Sequence, residues 1–373
     1  MRKKDIGPFV LLLVLIIICG LIWGFVFAQR AAKKDNQVDT ETQQTQSAKP
    51  VRQETQHQAQ ETDTHEGEAL SLFTGEWVDE DIVQNRPVAV MTENTKVTLP
   101  QYGLGRADVI YECPVEGGIT RLMAIYQDYS GMEKVGNVRS CRLYYVYFAK
   151  EFDAVYFHAG ESKYALDVLN SSFIDNVDGI TGTGGKYFYR DNGRKAPHNL
   201  YTTSELLAAG IENYGYETKL DDSFEAHYRF ADEESPNLLS DGVDANLVSM
   251  YYVNPKPWFE YNSEDGLYYR FEFGAPQVDA LTNEQVAVSN IIIQNCLSSL
   301  KDSKNGTLDI NYQSGGTGKF ITKGKAIDIT WTRESASSKT RYFDLNGNEI
   351  VLNPGKTWVE IVENSKAGQN TIN

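Results

Sequence analysis

Cysteine and histidine are scarce: four cysteines and five histidines in 373 residues. The cysteines, Cys19, Cys113, Cys141 and Cys296, include no Cys-x-x-Cys pair, so neither a disulfide framework nor a zinc site is written here. Basic residues are also in deficit, 35 Lys and Arg against 51 Asp and Glu, for a formal charge of −16. That balance excludes nucleic acid as a partner, because phosphate recognition rests on clustered positive charge. Gly-x-Ser-x-Gly is missing, which argues against a serine hydrolase of that type. The glycine strings at 182–186 and 315–319 lack the Ser or Thr of a phosphate loop and read as turns. The sequence calls for no cofactor and no metal.

Long apolar runs are absent except at the start. Arg2, Lys3 and Lys4 precede an apolar stretch from Ile6 to Ala28. At ~1.5 Å per residue this is long enough to cross ~30 Å of hydrocarbon as a helix. The expectation is a single transmembrane signal anchor over 1–28, making the membrane a partner and placing everything after it outside the cytoplasm. Ile16-Ile17-Ile18 before Cys19 disfavours lipidation of that cysteine. Val26-Phe27-Ala28 resembles a signal-peptidase site, but the run is long for a cleaved signal.

Residues 29–69 form a Gln-, Thr- and Glu-rich tract with few large apolar side chains, expected to be a disordered linker in which His57 and His65 are solvated. Strand signals at 87–91, 108–111, 122–126 and 154–158 alternate with helical patterns at 140–152, 161–169 and 204–213. They predict an α/β N-terminal domain over 70–232. An acidic, Pro-broken stretch follows Asp232. Extended patterns then predict a smaller, mostly β C-terminal domain over 243–364 and a flexible tail over 365–373. Asn346-Gly347 reads as a hairpin turn.

Between Glu116 and Tyr201 the polar residues are arranged suggestively. Ser140 stands where it would cap the helix through Phe152, with Arg139 and Arg142 beside it. With Arg121, these arginines are candidates to hold a carboxylate or phosphate, or else to pair with Asp108, Glu112 or Glu116 as a structural network. His158 ends a strand and His198 lies in Pro197-His198-Asn199-Leu200-Tyr201. Both are candidate general acids or bases, with Asn199 and Tyr201 as further ligand contacts. Glu116, paired with Glu112 or Asp108, would supply the two carboxylates of a glycosidase.

These stretches resemble a known family. Arg86-Pro87-Val88-Ala89-Val90-Met91, Ala107 through Glu112, Val115 through Arg121, Val138-Arg139-Ser140 with Arg142, His158-Ala159-Gly160 and Ala196 through Tyr201 are similar, in order, to YerB-like proteins. The similarity continues through Ser289 to Ile292, Gly324 to Trp331, Asp344 to Gly347 and Asn353 to Trp358. The family comprises bacterial envelope proteins, often described as lipoproteins, with two consecutive domains of unknown function. The resemblance implies an α/β domain, a smaller C-terminal domain and an extracytoplasmic address, with no established activity. Cys141 stands where relatives carry a small residue, which argues against a catalytic thiol. Two functions follow as expectations: binding of an anionic envelope ligand or protein partner through an Arg-rich crevice, or a peptidoglycan-related hydrolase or transferase using Glu116 with His158 or His198.

Overall fold

The computed structural model describes residues 65–373. The span expected at 6–28 and nearly all of the expected linker lie outside the described residues. Among the described residues no helix is long and apolar enough to cross a membrane. The last linker residues are already folded: Glu68–Leu70 pairs with Trp77–Asp79, and the His65 ring stacks on Trp77 at 3.9 Å.

A mixed sheet of twelve strands forms the body. Its N-terminal strands are β1 (Val88–Asn94), β2 (Val109–Pro114), β3 (Thr120–Tyr126), β4 (Val155–His158) and β5 (Asn176–Asp178). The C-terminal strands are β6 (Asn290–Asp302), β7 (Thr307–Asn311), β8 (Gly316–Thr322), β9 (Lys325–Thr332), β10 (Arg341–Asp344) and β11 (Thr357–Glu363). From one edge the order is Val243–Asp244, β9, β8, β6, β11, β2, β3, β1, β4, β5, with β7 on β6 and β10 on β9. β11 runs parallel to both β6 and β2. All seven of its residues are buried, as are those of β1 and β3, because both faces of the sheet are covered. Tyr342 and Ile350 bond across the Asn346-Gly347 turn as the sequence predicts.

The α/β expectation is therefore corrected: the molecule is mostly β. The helices of eight or more described residues are α1 (Leu143–Lys150) and α2 (Ser204–Tyr214). α2 starts as expected, with the Thr203 hydroxyl accepting from the Leu206 amide at 3.2 Å and Gly215 ending it in the left-handed region. The helices expected from 140 and 161 fail for one reason. Their first residues spend their backbone groups sideways: Arg139 N–H on the Met91 carbonyl, Cys141 N–H on the Gly160 carbonyl, and Ser162 N–H on the Cys141 carbonyl. Residues 137–141 thus act as an extra strand beside β1. Helix starts only at Leu143, and after 161 only at Leu166.

A second sheet joins Leu247–Ser249, Trp258–Asn262, Leu267–Glu272 and the C-terminal Thr371–Ile372, so the expected tail residues 371 and 372 are paired. It covers one face of the large sheet, Phe259 and Tyr268 meeting Ile110, Ile291 and Trp358. α1 and the turn after it cover the other face, through Tyr145, Phe148 and Phe152 against Tyr111 and Met123.

Between the sheets lies Arg270, fully buried. It bonds Glu112 through Nη2, approaches Glu360 at 3.4 Å and Glu272 at 3.8 Å, and stacks 4.0 Å from the Trp358 ring centre. One guanidinium thus faces three buried carboxyls. Burial raises all three from their ordinary range, against the pull of Arg270, and Glu272 is pushed up to about 7, with Glu112 adding to the rise and Asn94 and Gln101 opposing it. A carboxyl raised in the folded state favours folding while protonated, and this contribution is lost as pH rises through about 7. Stability should therefore rise as pH falls from 8 to 5, by roughly 3 kcal/mol from Glu272 alone. Urea unfolding checks this: Glu272→Gln should be more stable than the parent at pH 8 and equal to it at pH 5, whereas parallel curves would refute the assignment.

Candidate functional site

The candidate residues gather where β1 and β4 end and the antiparallel β3 begins, on the face that carries α1. Glu93 of β1 is opposite Arg121 of β3. The extra strand 137–141 lies along the far half of β1 and delivers Arg139, Ser140 and Arg142 to the same end.

Arg142 is held by Glu116, with Nε 2.8 and 2.7 Å from the two carboxylate oxygens and Nη2 2.7 Å from Oε2. This two-pronged pair is the structural alternative the sequence left open, and Glu116 sits on a single 3₁₀ turn between β2 and β3. Ser140 does not cap α1, correcting the expectation. Arg142 is the capping residue, no side chain closes the first turn, and the Ser140 hydroxyl lies 3.4 Å from Arg142 Nη1. Arg139 Nε stands 3.4 Å from Glu93 Oε2 without a hydrogen bond, while its Nη1 donates to the Pro197 carbonyl at 3.2 Å. Glu93 Oε1 accepts from His198 Nδ1 at 2.8 Å.

Arg121 differs. It is 5% exposed and donates through Nη1 to the Ser140 carbonyl at 2.5 Å. Its buried Nε has no acceptor, and it forms no ion pair among the described residues. Burial, with Arg142 and Arg139 close by, lowers its pKa to about 10. It remains charged at neutral pH. The cluster thus holds three guanidiniums against two carboxylates, Glu93 and Glu116.

His158 is buried with both ring nitrogens engaged. Nδ1 faces the Gly160 carbonyl at 3.0 Å and Nε2 faces Asn176 Oδ1 at 3.2 Å. Asn176 Nδ2 donates to the Leu169 carbonyl at 2.8 Å, which fixes the amide so that its oxygen meets the ring. Both ring nitrogens are thus turned onto protein oxygens, and neither faces open space. Asp178 lies 3.8 Å from Nδ1. Burial raises the Asp178 carboxyl, but bonds from the Thr181 hydroxyl and the Gly160 amide outweigh it, and the net shift is downward.

Other expected contacts point elsewhere. Asn199 accepts from Arg190 at 2.8 Å and donates to the Asp191 carbonyl, so it braces its own loop. Tyr201 is buried, accepts from Asn137 at 2.6 Å, and carries Lys134 over its ring at 4.1 Å. Glu112 bonds Arg270 on the opposite face of the sheet, and Asp108 accepts from the Gln127 amide at 2.6 Å. The carboxylate pair a glycosidase needs is therefore not formed by Glu116 with either. Cys113, Cys141 and Cys296 are free and buried, and burial pushes the Cys141 thiol up to about 12. Sequence reasoning missed Glu93, whose signal was a lone acid at the end of an apolar strand, and Asp178, which carried none.

Residues 73–217 match the family described as "Protein of unknown function (DUF3048) N-terminal domain", and residues 248–359 match its C-terminal domain. The chain belongs to the YerB-like family. A YerB-like relative from Bacillus subtilis (strain 168), named "Putative lipoprotein YerB", is 32% identical over 294 residues, which is 78% of this chain and 85% of the relative. The crystal structure of YerB from Bacillus subtilis is similar at TM-score 0.70 and 30% identity, over 82% of this chain and 99% of that one.

His158, Glu161 and Asp178 bring one ligand atom each within 4.8 Å of one another, a spacing that could suit a metal ion. Two of the three donors are already spent: both His158 nitrogens as above, Asp178 Oδ1 on the Gly160 and Ile180 amides, and Oδ2 on Thr181. Zn²⁺ or Mn²⁺ added to the folded protein should leave its thermal midpoint unchanged. A saturable rise that vanishes in Asp178→Asn would show a metal site instead.

Proposed function

We propose that this YerB-like protein binds a single anionic group, phosphate or carboxylate, of a cell-envelope component at Arg121, Arg139 and Arg142. The observation that carries the reading is Arg121: a buried guanidinium whose Nε has no acceptor and which has no carboxylate within ion-pair distance, Glu116 acting on it only from farther off, beside two further arginines. Burying an unpaired charge costs several kcal/mol, and a bound anion recovers that cost. The uncapped first turn of α1 adds the positive end of a helix dipole nearby. The envelope address is supported by the lipoprotein name of the Bacillus relative.

A hydrolase is supported less. Glu116 is clamped by Arg142, and His158 has no nitrogen to spare. In the binding reading Glu116 competes with the ligand for Arg142. Calorimetric titration of the full chain with ethyl phosphate separates the two roles. Arg139→Gln should weaken binding roughly tenfold, the worth of one charge-assisted hydrogen bond. Glu116→Gln should tighten it. Turnover of purified peptidoglycan that disappears in Glu116→Gln would replace this reading with the enzymatic one.

A further inference from the structure

Two openings flank the loop from Pro114 to Thr120, and the β6–β7 hairpin helps to wall both. One, of ≈ 420 Å³, is polar, lined by Glu116, Arg142, Ser162, Tyr164, Asn305 and Thr307. The other, of ≈ 200 Å³, is lined largely by apolar groups, including Val115, Ile119, Val253, Leu300 and Leu308. The alternation has a simple origin. Leu300 and Leu308 are directly opposed in the hairpin and share one face, whereas Thr307 falls on the other. On the loop, Glu116 belongs to the polar opening and its neighbours Val115 and Gly117 to the apolar one.

The apolar groove is left open to solvent. Leu300 is 62% exposed and Val253 57%. Exposed apolar clusters rimmed by charge mark contact sites. The loop that separates this groove from the arginines is shaped for close packing: Gly118 has φ +73°, and a Cβ there would lie 3.0 Å from Val253 Cγ1. The Asn254 amide bonds the Gly118 carbonyl at 2.9 Å, holding Val253 in place.

We infer that the anion held by the arginine cluster is the head of a single-chain amphiphile whose alkyl chain lies in this groove. The inference rests on the anion-binding reading above. Charge complementarity selects the head, since the cluster carries one guanidinium more than its carboxylates. Size limits the tail: a groove of ≈ 200 Å³ is smaller than the ~300–1,000 Å³ pockets that enclose drug-sized ligands, which leaves room for one short chain and none for a helix.

The test compares octyl phosphate, kept below its micellar concentration, with ethyl phosphate on the full chain. Octyl phosphate should bind at least about tenfold more tightly, since each buried methylene adds to transfer from water. Leu300→Ser combined with Val253→Ser should abolish that ratio and leave ethyl phosphate binding unchanged, and both positions are exposed enough to tolerate the change. Equal affinities in the unaltered protein would overturn the amphiphile while sparing the anion site. Binding to anionic vesicles without binding to the monomer would overturn it in favour of a membrane surface. Failure of both phosphates to bind would remove the anion reading and this one together.

Discussion

The parallel pairing of β11 with β2 is the constraint from which the rest follows. Thr357 to Glu360 run beside Val109 to Glu112, joining strands nearly 250 positions apart at the centre of one sheet. Because β11 also pairs with β6, the same register sets the β6–β7 hairpin beside the loop between β2 and β3. The candidate site thus draws walls from both sequence halves matched by the family, although every arginine in it comes from the first. A change that loosened β11 would separate the hairpin from the loop without touching an arginine.

Two of the buried guanidiniums are handled in opposite ways. Arg270 is over-provided, with three carboxyls, a Gln277 bond and an indole face. Its excess is negative and is relieved by protonation, the direction in which burial first and Glu112 after it move Glu272. Arg121 is under-provided, and no proton can relieve a guanidinium near neutrality. In the anion-binding reading its excess is met from outside the chain. The first arrangement resembles a structural ion cluster, in which breaking one partner costs more than the cluster contributes. The second resembles a receptor.

The strands were legible in the sequence because their apolar runs are continuous and bounded by Gly and Pro, as at Val88–Asn94 and Thr120–Tyr126. The hairpin at Asn346-Gly347 and the helix after Thr203 were legible because turn and cap chemistry are local. Ser140 was misread because a cap signal is also local, while the competing bonds to Met91 and Gly160 come from distant strands. The same long-range pairing turned an apparent α/β pattern into a mostly β molecule. Within the site, Arg121, Arg139, Arg142, Glu116 and His198 do converge, but Asn199 and Tyr201, read as neighbours of His198, are drawn away by Arg190 and Asn137. Adjacent residues on an extended loop point in different directions, so sequence proximity to His198 carried no information about them.

The whole-chain charge bears on what the arginine cluster can recognise. At −16 the protein repels polyanions, and screening confines the attraction of one surplus positive charge to a Debye length, ~8 Å at physiological salt. A ligand bearing many phosphates would meet the acidic surface wherever it extended past the cluster. One with a single charged group would not. Exposed charge pairs contribute little, so lasting affinity for such a ligand must come from desolvated contact. The apolar groove is the surface beside the cluster that offers this contact. Charge on the body and apolar surface at the site therefore favour the same kind of ligand: compact in charge, and apolar beyond it.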